Sequence, residues 1–321
     1  MGIRAAVAGA TGYAGGELVR LLAGHPEVEI YGVTGHSRAG APLSAVHPHL
    51  VSVDLPVRAT EPESVTGADL VFLALPHGQA AAFAAALPAA TKVVDLSADH
   101  RAVWPYGLPE LPGQRARIAA AGRVANTGCY AVATVLALAP LLAAGVAEAD
   151  DIVVVAASGT SGAGREAKPH LLGTEVMGDL SPYRVGEHQH VPEIKRASGA
   201  RTLSFTPVLA PMPRGILATV TARPVRAGLP AAAVREVLIS AYREEPFVHV
   251  LPEGTWPHTA ATLGANTCHL QATVDSDSGR IIVVSAIDNL GKGAAGQAVQ
   301  CANLMFDLPE TTALPVNGVA P

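Results

Sequence analysis

Three groups of residues in this sequence have the types and spacing that chemistry requires. The first is Asn126-Thr127-Gly128-Cys129-Tyr130, placed where a short apolar strand ends and a long Ala/Leu-rich helix begins. A thiol in the first turn of a helix feels the positive end of the dipole, which lowers its pKa and raises the thiolate fraction at neutral pH. Gly128 leaves room for a substrate carbon beside the sulfur, and neighbouring N–H groups suit an oxyanion. Cys268 falls in a β-run and Cys301 in an amphipathic helical pattern, the usual settings of buried, inert thiols. Cys129 is the candidate nucleophile, with a structural thiol as the alternative.

The second group is His188-Gln189-His190-Val191-Pro192-Glu193. If extended, it puts both imidazoles on one face of a strand, where one of them can move a proton to or from an aldehyde oxygen. The two imidazoles with Glu193 also make a plausible metal-ligand set, although no further ligand cluster is evident. Surface histidines with no task are the third reading.

The third group is glycine-rich. Gly9-Ala10-Thr11-Gly12-Tyr13-Ala14-Gly15 follows the first strand and opens a helix at about Gly16. Missing Cβ atoms let the backbone turn tightly and approach a pyrophosphate, while the helix N-terminus offers its N–H groups. A ligand-free turn is the alternative, because the glycines stand at the first, fourth and seventh positions rather than in G-x-G-x-x-G spacing. After the second strand comes Gly35-His36-Ser37-Arg38 in place of an acidic residue. The Ser37 hydroxyl and Arg38 guanidinium suit a 2′-phosphate, favouring NADP over NAD; an ordinary solvated loop is the other reading. A second loop, Ser158-Gly159-Thr160-Ser161-Gly162-Ala163-Gly164-Arg165, can hold a phosphate leaving group or a nicotinamide amide, or be a flexible linker. Arg214 in Pro211-Met212-Pro213-Arg214-Gly215 is a candidate for a substrate carboxylate or a surface ion pair.

The elements that must position these groups follow from periodicity. Arg4 to Ala8, Val28 to Thr34, Asp69 to Leu75, Lys92 to Leu96 and Val124 to Asn126 read as strands, alternating with helices such as Gly78 to Leu87 and Cys129 to Leu142. That rhythm predicts an α/β, Rossmann-type, doubly wound parallel sheet. After Asp151 the pattern changes. Ile152 to Ala157, Thr202 to Leu209, Ile216 to Arg223, Thr267 to Asp275 and Arg280 to Asp288 read as strands, the last two as a hairpin around Ser-Asp-Ser-Gly, which predicts an α+β domain with a mixed or antiparallel sheet. Leu229 to Glu245 and Gly293 to Phe306 read as helices, and the tail from Leu308 lacks periodicity.

Composition narrows the partners. The 321 residues, 49% hydrophobic, suffice for two cores. A net charge of −5 without a basic stripe gives no footprint for nucleic acid. No apolar run reaches the roughly 18 to 20 residues of a membrane-spanning helix, and the N-terminus lacks a signal-peptide succession, so a cytoplasmic protein is expected. Three widely spaced cysteines argue against a disulfide framework or a Cys-rich metal site, and no metal is expected.

Taken together, the chain resembles the N-acetyl-gamma-glutamyl-phosphate reductases, a family related to aspartate semialdehyde dehydrogenase. The resemblance covers nearly the whole chain. It rests on the first glycine loop, Leu75-Pro76-His77-Gly78, Asp95-Leu96-Ser97-Ala98-Asp99, Tyr106-Gly107-Leu108-Pro109-Glu110, Gly128-Cys129-Tyr130, the Ser161 to Arg165 loop, the His188 to Glu193 run, and Asp288-Asn289-Leu290-Gly291-Lys292-Gly293-Ala294-Ala295-Gly296-Gln297-Ala298. It implies Cys129 as nucleophile, His188 as acid/base with His190 beside it, and NADP held by the first glycine loop, Ser37, Arg38, Pro76, Ser161, Gly162 and Asn289. Asn126, Arg165, Glu193 and Arg214 are expected at the substrate, a small acyl phosphate of the arginine pathway. The resemblance also implies an NADP-binding domain of residues 1–128 with 289–321, a substrate and oligomerisation domain of 129–288, and a homo-oligomer, dimer or tetramer. Three positions depart from the family pattern: Thr127 replaces Pro, Val132 a common Thr, and Val208 a common His expected near substrate. A reductase for aspartyl or carrier-bound aminoadipyl phosphate, or a catalytically silent NADP-binding sensor, are the competing readings.

Overall fold

The computed structural model describes residues 2–36 and 38–319. The chain divides into two compact units, one of residues 1–128 and 294–314, the other of 129–293 with the segment from Pro315.

The first unit carries β1 (Ile3–Ala8), α1 (Tyr13–Leu22), β2 (Val28–Thr34), β3 (Val57–Arg58), β4 (Leu70–Leu73), α2 (Ala80–Ala86), β5 (Lys92–Asp95), β6 (Tyr106–Gly107), α3 (Gln114–Ala119) and β7 (Arg123–Asn126). Its strands form one sheet in the order β3-β2-β1-β4-β5-β7-β6, and every pairing is parallel. The order reverses between β1 and β4, the crevice where parallel sheets of this kind bind ligands. Ala5 to Ala8 and Leu70 to Leu73 are buried on both faces, as continuous apolar runs in a covered parallel sheet must be. Ala6, Ala8, Val71 and Leu73 pack with Phe83, Ala84 and Leu87 around α2, and the alternate side chains point to the opposite face.

The second unit opens with α4 (Cys129–Ala143), followed by β8 (Ile152–Ser158), α5 (Gly173–Val176), β9 (Ser181–Pro182), α6 (Val191–Ser198), β10 (Leu203–Leu209), β11 (Ile216–Ala222), α7 (Ala231–Tyr242), β12 (Val248–Val250), β13 (Cys268–Val274) and β14 (Ile281–Ile287). The sheet order is β12-β13-β14-β11-β8-β10-β9, mixed, with β8/β10 and β12/β13 parallel and the rest antiparallel. α4 is apolar on nearly every side and correspondingly buried, packed between β11, β14, α6 and α7. Pro140 lies inside it and has no N–H for the Leu136 carbonyl; the Tyr242 hydroxyl of α7 donates to that oxygen instead, at 2.6 Å.

Among the described residues no helix covers the other face of this sheet, where the alternate side chains of β8 are exposed. The strand registers align Val153 and Val155 of β8 with Thr221 and Thr219 of β11 and with Ile282 and Val284 of β14, respectively. Those residues are half-buried or exposed, Val155 to 46%, and none is charged. At one edge of the same face His249 and His269 stand side by side, rings 5.8 Å apart.

After β14 a π-helical turn, Gly291–Ala295, leads into α8 (Gly296–Met305), which packs with α1, α3, β5 and β7 of the first unit. The hairpin, the mixed sheet and the parallel sheet agree with the sequence reading. Several elements have ends that differ from the expected ranges, and one segment changes kind. The helix expected over Leu229 to Glu245 runs from Ala231 to Tyr242, and the His188 to His190 stretch is a turn ahead of α6 rather than a strand.

Candidate functional site

In the first unit the glycine loop joins β1 to α1 at the crevice between β1 and β4. Gly9 has φ +86°, and a Cβ there would stand 2.3 Å from the Ala74 carbonyl oxygen. A Cβ on Gly15 would stand 2.2 Å from the Gly9 oxygen, so the helix start can lie on the strand end only because both side chains are absent. Gly12, the residue before α1, is extended, and a Cβ there would meet nothing closer than the Gly9 oxygen at 3.5 Å. The surface above the helix N-terminus is therefore open, and it fits a pyrophosphate. Thr34 at the end of β2 ties the loop down, its carbonyl accepting from Ala10 N–H (2.8 Å) and its hydroxyl from Gly9 N–H (3.3 Å).

Tyr13 and Ala14 lie in the first turn of α1, Thr11 just before it. Arg38 is exposed on the turn after β2, beyond Gly35, whose position leaves only 2.3 Å between a would-be Cβ and the Thr11 methyl. Ser37 lies outside the described residues. Pro76 is exposed in the loop after β4, held where Asp99 accepts from Gly78 N–H (2.7 Å) and Ala81 N–H (3.2 Å). Asn126 ends β7 with its side chain fully buried, Nδ2 donating to the Ala294 carbonyl at 2.9 Å.

In the second unit Cys129 is the first residue of α4 and is partly exposed. Gly293 passes close to it: a Cβ there would stand 2.9 Å from Cys129 Cβ. Tyr130, next in the helix, is buried at the centre of an aromatic cluster, with His188 at 5.4 Å, Phe205 at 5.2 Å and His190 at 6.1 Å between ring centroids. The Tyr183 hydroxyl donates to that of Tyr130 at 3.0 Å. Burial pushes the Tyr183 phenol up to about 12 and Tyr130 well above the ordinary range, and charge on Cys129 adds to both shifts.

His188 and His190 are brought together, rings 4.8 Å apart, both buried. His190 N–H donates to His188 Nδ1 at 3.2 Å, so the neutral His188 ring carries its proton on Nε2. Burial first, then the charge of Arg184, pull the His188 imidazole down to about 4. It is a neutral N–H donor at physiological pH. Glu193 is buried in the first turn of α6. Among the described residues no three His, Cys, Asp or Glu side chains are placed to hold a metal ion.

The second glycine loop and the Arg214 segment lie against each other. Gly159 N–H donates to the Gly215 carbonyl (2.9 Å), and Ser161 N–H to that of Pro213 (3.1 Å). Two consecutive residues at the end of β14 lock them. Asn289 donates from Nδ2 to Ser161 Oγ (2.9 Å) and accepts Gly215 N–H at Oδ1 (2.7 Å). Asp288, fully buried, takes Arg214 through Nε (3.1 Å) and a terminal nitrogen (2.7 Å), and also accepts Gly264 N–H (2.6 Å). Arg214, half-buried, is thus ion-paired to a fully buried carboxylate. Ser161 is half-buried, while Gly162 and Arg165 are exposed on the rim of the loop. Val208 belongs to the uncovered face of β10, opposite Phe205, so the departure there does not touch the aromatic cluster. The roles of Asp288, Tyr183 and Gly293 were not read from sequence. Asp288 immediately precedes Asn289 and Tyr183 stands five residues before His188, which is the signal available for each.

Comparison with known proteins agrees with both halves. Family models described as semialdehyde dehydrogenase, NAD binding domain, and semialdehyde dehydrogenase, dimerisation domain, match residues 4–121 and 129–289. Proteins named N-acetyl-gamma-glutamyl-phosphate reductase from Salinispora arenicola and Acidothermus cellulolyticus are 66% and 56% identical, each over the full length of both chains. Among solved structures, aspartate semialdehyde dehydrogenase II of Vibrio cholerae complexed with ASA covers 96% of this chain and 99% of its own, with TM-score 0.76 at 18% identity. The aspartate semialdehyde dehydrogenase of Candida albicans with NADP covers 95% and 99%, with TM-score 0.69 at 19% identity; at such identities the shared property is the fold. By these matches the chain belongs to the N-acetyl-gamma-glutamyl-phosphate reductase family, among the semialdehyde dehydrogenases.

Proposed function

We propose that this protein reduces N-acetyl-γ-glutamyl phosphate to N-acetylglutamate semialdehyde, releasing phosphate, in cytoplasmic arginine biosynthesis. The observation that carries the reading is Cys129, partly exposed at the first turn of α4, with the Tyr130–Tyr183 pair near enough to feel its charge and the neutral His188 packed against Tyr130. Cys129 Sγ attacks the γ-acyl carbon; the new C–S bond forms as the C–O bond to phosphate breaks, phosphate leaving with the electron pair. When bound, NADPH supplies the hydride that reduces the thioester carbon. The product thiohemiacetal loses its hydroxyl proton and its C–S bond, returning the thiolate and freeing the aldehyde. His188 holds a proton at Nε2 and presents it to the oxygen as negative charge develops there, with His190 fixing its tautomer.

Gly9, Thr11, Gly12, Tyr13, Ala14 and Gly15 hold the cofactor pyrophosphate, and Ser37 and Arg38 its 2′-phosphate; Pro76 in the first unit, and Ser161, Gly162 and Asn289 in the second, are further cofactor-binding residues. Arg165 meets the leaving phosphate and Arg214 the substrate carboxylate, with Asn126 and Glu193 shaping their surroundings. The assembly is a homo-oligomer whose subunits meet through the uncovered sheet face, within the residues matched by a dimerisation-domain model.

The test is the reverse reaction: semialdehyde, phosphate and NADP+ should yield NADPH, followed at 340 nm, with aspartate semialdehyde and NAD+ as controls. Cys129→Ser should abolish turnover and leave NADP+ binding intact. An active Ser variant would defeat the thioester route.

A further inference from the structure

We infer that His47 is a positioning residue for the nucleotide loop, holding the Ala10 carbonyl turned away from the side on which the cofactor's pyrophosphate docks. The inference rests on the nucleotide reading of the Gly9 to Gly15 loop proposed above. His47 follows the 3-10 turn Leu43–Ala45, far from that loop in sequence, and is 4% exposed. Its own N–H donates to the Leu43 carbonyl and its carbonyl accepts from Leu50 N–H, each at 2.9 Å, so the backbone beneath the ring is fixed.

Nε2 lies 2.9 Å from the Ala10 carbonyl oxygen. A carbonyl can only accept, so Nε2 carries the proton and donates. The ring occupies the place that a side chain at position 16 would take: a Cβ on Gly16 would stand 2.3 Å from Cε1 and 2.6 Å from Nε2. Gly16 therefore serves His47, whereas Gly9 and Gly15 serve the turn itself.

The orientation of one peptide plane is at stake. Ala10 N–H is taken by the Thr34 carbonyl and Ala10 C=O by His47, so both edges of this residue are held. In a trans peptide the carbonyl and the following N–H point in opposite directions, so a carbonyl fixed toward His47 turns the Ala10–Thr11 amide hydrogen the other way. A released plane could rotate its partial negative oxygen toward the phosphate oxygens and oppose binding.

NADP+ affinity of the full chain should be measured for His47→Phe, which keeps a ring but loses the donor, and for His47→Gln and His47→Asn. Gln places an N–H near the Nε2 position and Asn is too short to do so. We expect the Phe and Asn variants to weaken NADP+ binding about tenfold, the worth of one such hydrogen bond, with kcat at saturating cofactor unchanged, and Gln to restore most of the affinity. NADP+ binding by the Phe and Asn variants equal to wild type would overturn the inference. So would equal losses in all three variants that track a lower melting temperature without nucleotide, the mark of mere packing. If Phe does not fold, the Gln and Asn pair decides alone. A wild-type chain that binds no NADP+ would instead bring down the nucleotide reading, and this inference with it.

Discussion

The proposed mechanism divides the chemistry between Cys129, a partly exposed thiol at a helix start, and His188, an imidazole held neutral by burial with one nitrogen already committed to a backbone N–H. Two residues ahead of the thiol, Thr127 is buried and its hydroxyl has no hydrogen-bond partner within the described structure. A buried, unsatisfied hydroxyl costs about 1–3 kcal/mol, which an isosteric methyl removes. Thr127→Val should therefore raise the melting temperature, a shift that differential scanning calorimetry would register; an unchanged or lower value would mean that the hydroxyl is satisfied in solution. The family's Pro at this position is likewise apolar, so the departure weakens the turn through its hydroxyl as well as through its freer φ.

At the scale of elements, α4 is the part on which the proposed site depends, because its first residue is the proposed nucleophile and its last turns contain a proline. The Leu136 carbonyl orphaned by Pro140 is satisfied from α7 by Tyr242. Tyr242→Phe leaves that oxygen buried without its donor and should destabilise the second unit by about 1–3 kcal/mol, read as a lower urea midpoint at unchanged m-value. The helix itself was legible, since a Gly-Cys junction followed by an Ala/Leu run states both its start and its buried character. Its repair by Tyr242 was not, because the partners are 106 residues apart and no local pattern couples them. The same holds for the two-residue strands β3, β6 and β9, which exist only by pairing with longer neighbours. The turn at His188 has its own signals in the sequence. Pro192 and Glu193 in a first helical turn, with Gly199 at φ +85° after the last, are helix signals that outweigh the apparent His-x-His alternation.

For the whole molecule, three half-buried or buried imidazoles set an acid limit. Burial lowers His188 to about 4, and it lowers His249 and His269 as well, the last also through His249. Their folded pKa values lie below the unfolded value near 6.5, so the unfolded chain binds more protons in between. The stability they contribute is complete above about 6.5 and is lost as the pH falls from there through the folded values, down to about 4 for His188. Melting temperature should fall between pH 7.5 and 5.5, where most carboxylates remain ionised, and His249→Gln should flatten that slope. A pH-independent melting curve across this window would contradict the assignment. His249 and His269 lie on the uncovered sheet face, so cross-linking or sedimentation over the same range would show whether subunit association shares the limit.

The chain's path leaves the first unit at Gly128 and supplies α8 to it only from Ala294 onward. On a ribosome adding roughly 5–20 residues per second, the parallel sheet would wait on the order of ten to thirty seconds for the helix that packs against β5 and β7. During that interval the second unit is being synthesised and the first exposes the apolar surface meant for α8. Nascent chains stalled before residue 294 should therefore be the form of this protein most in need of a chaperone.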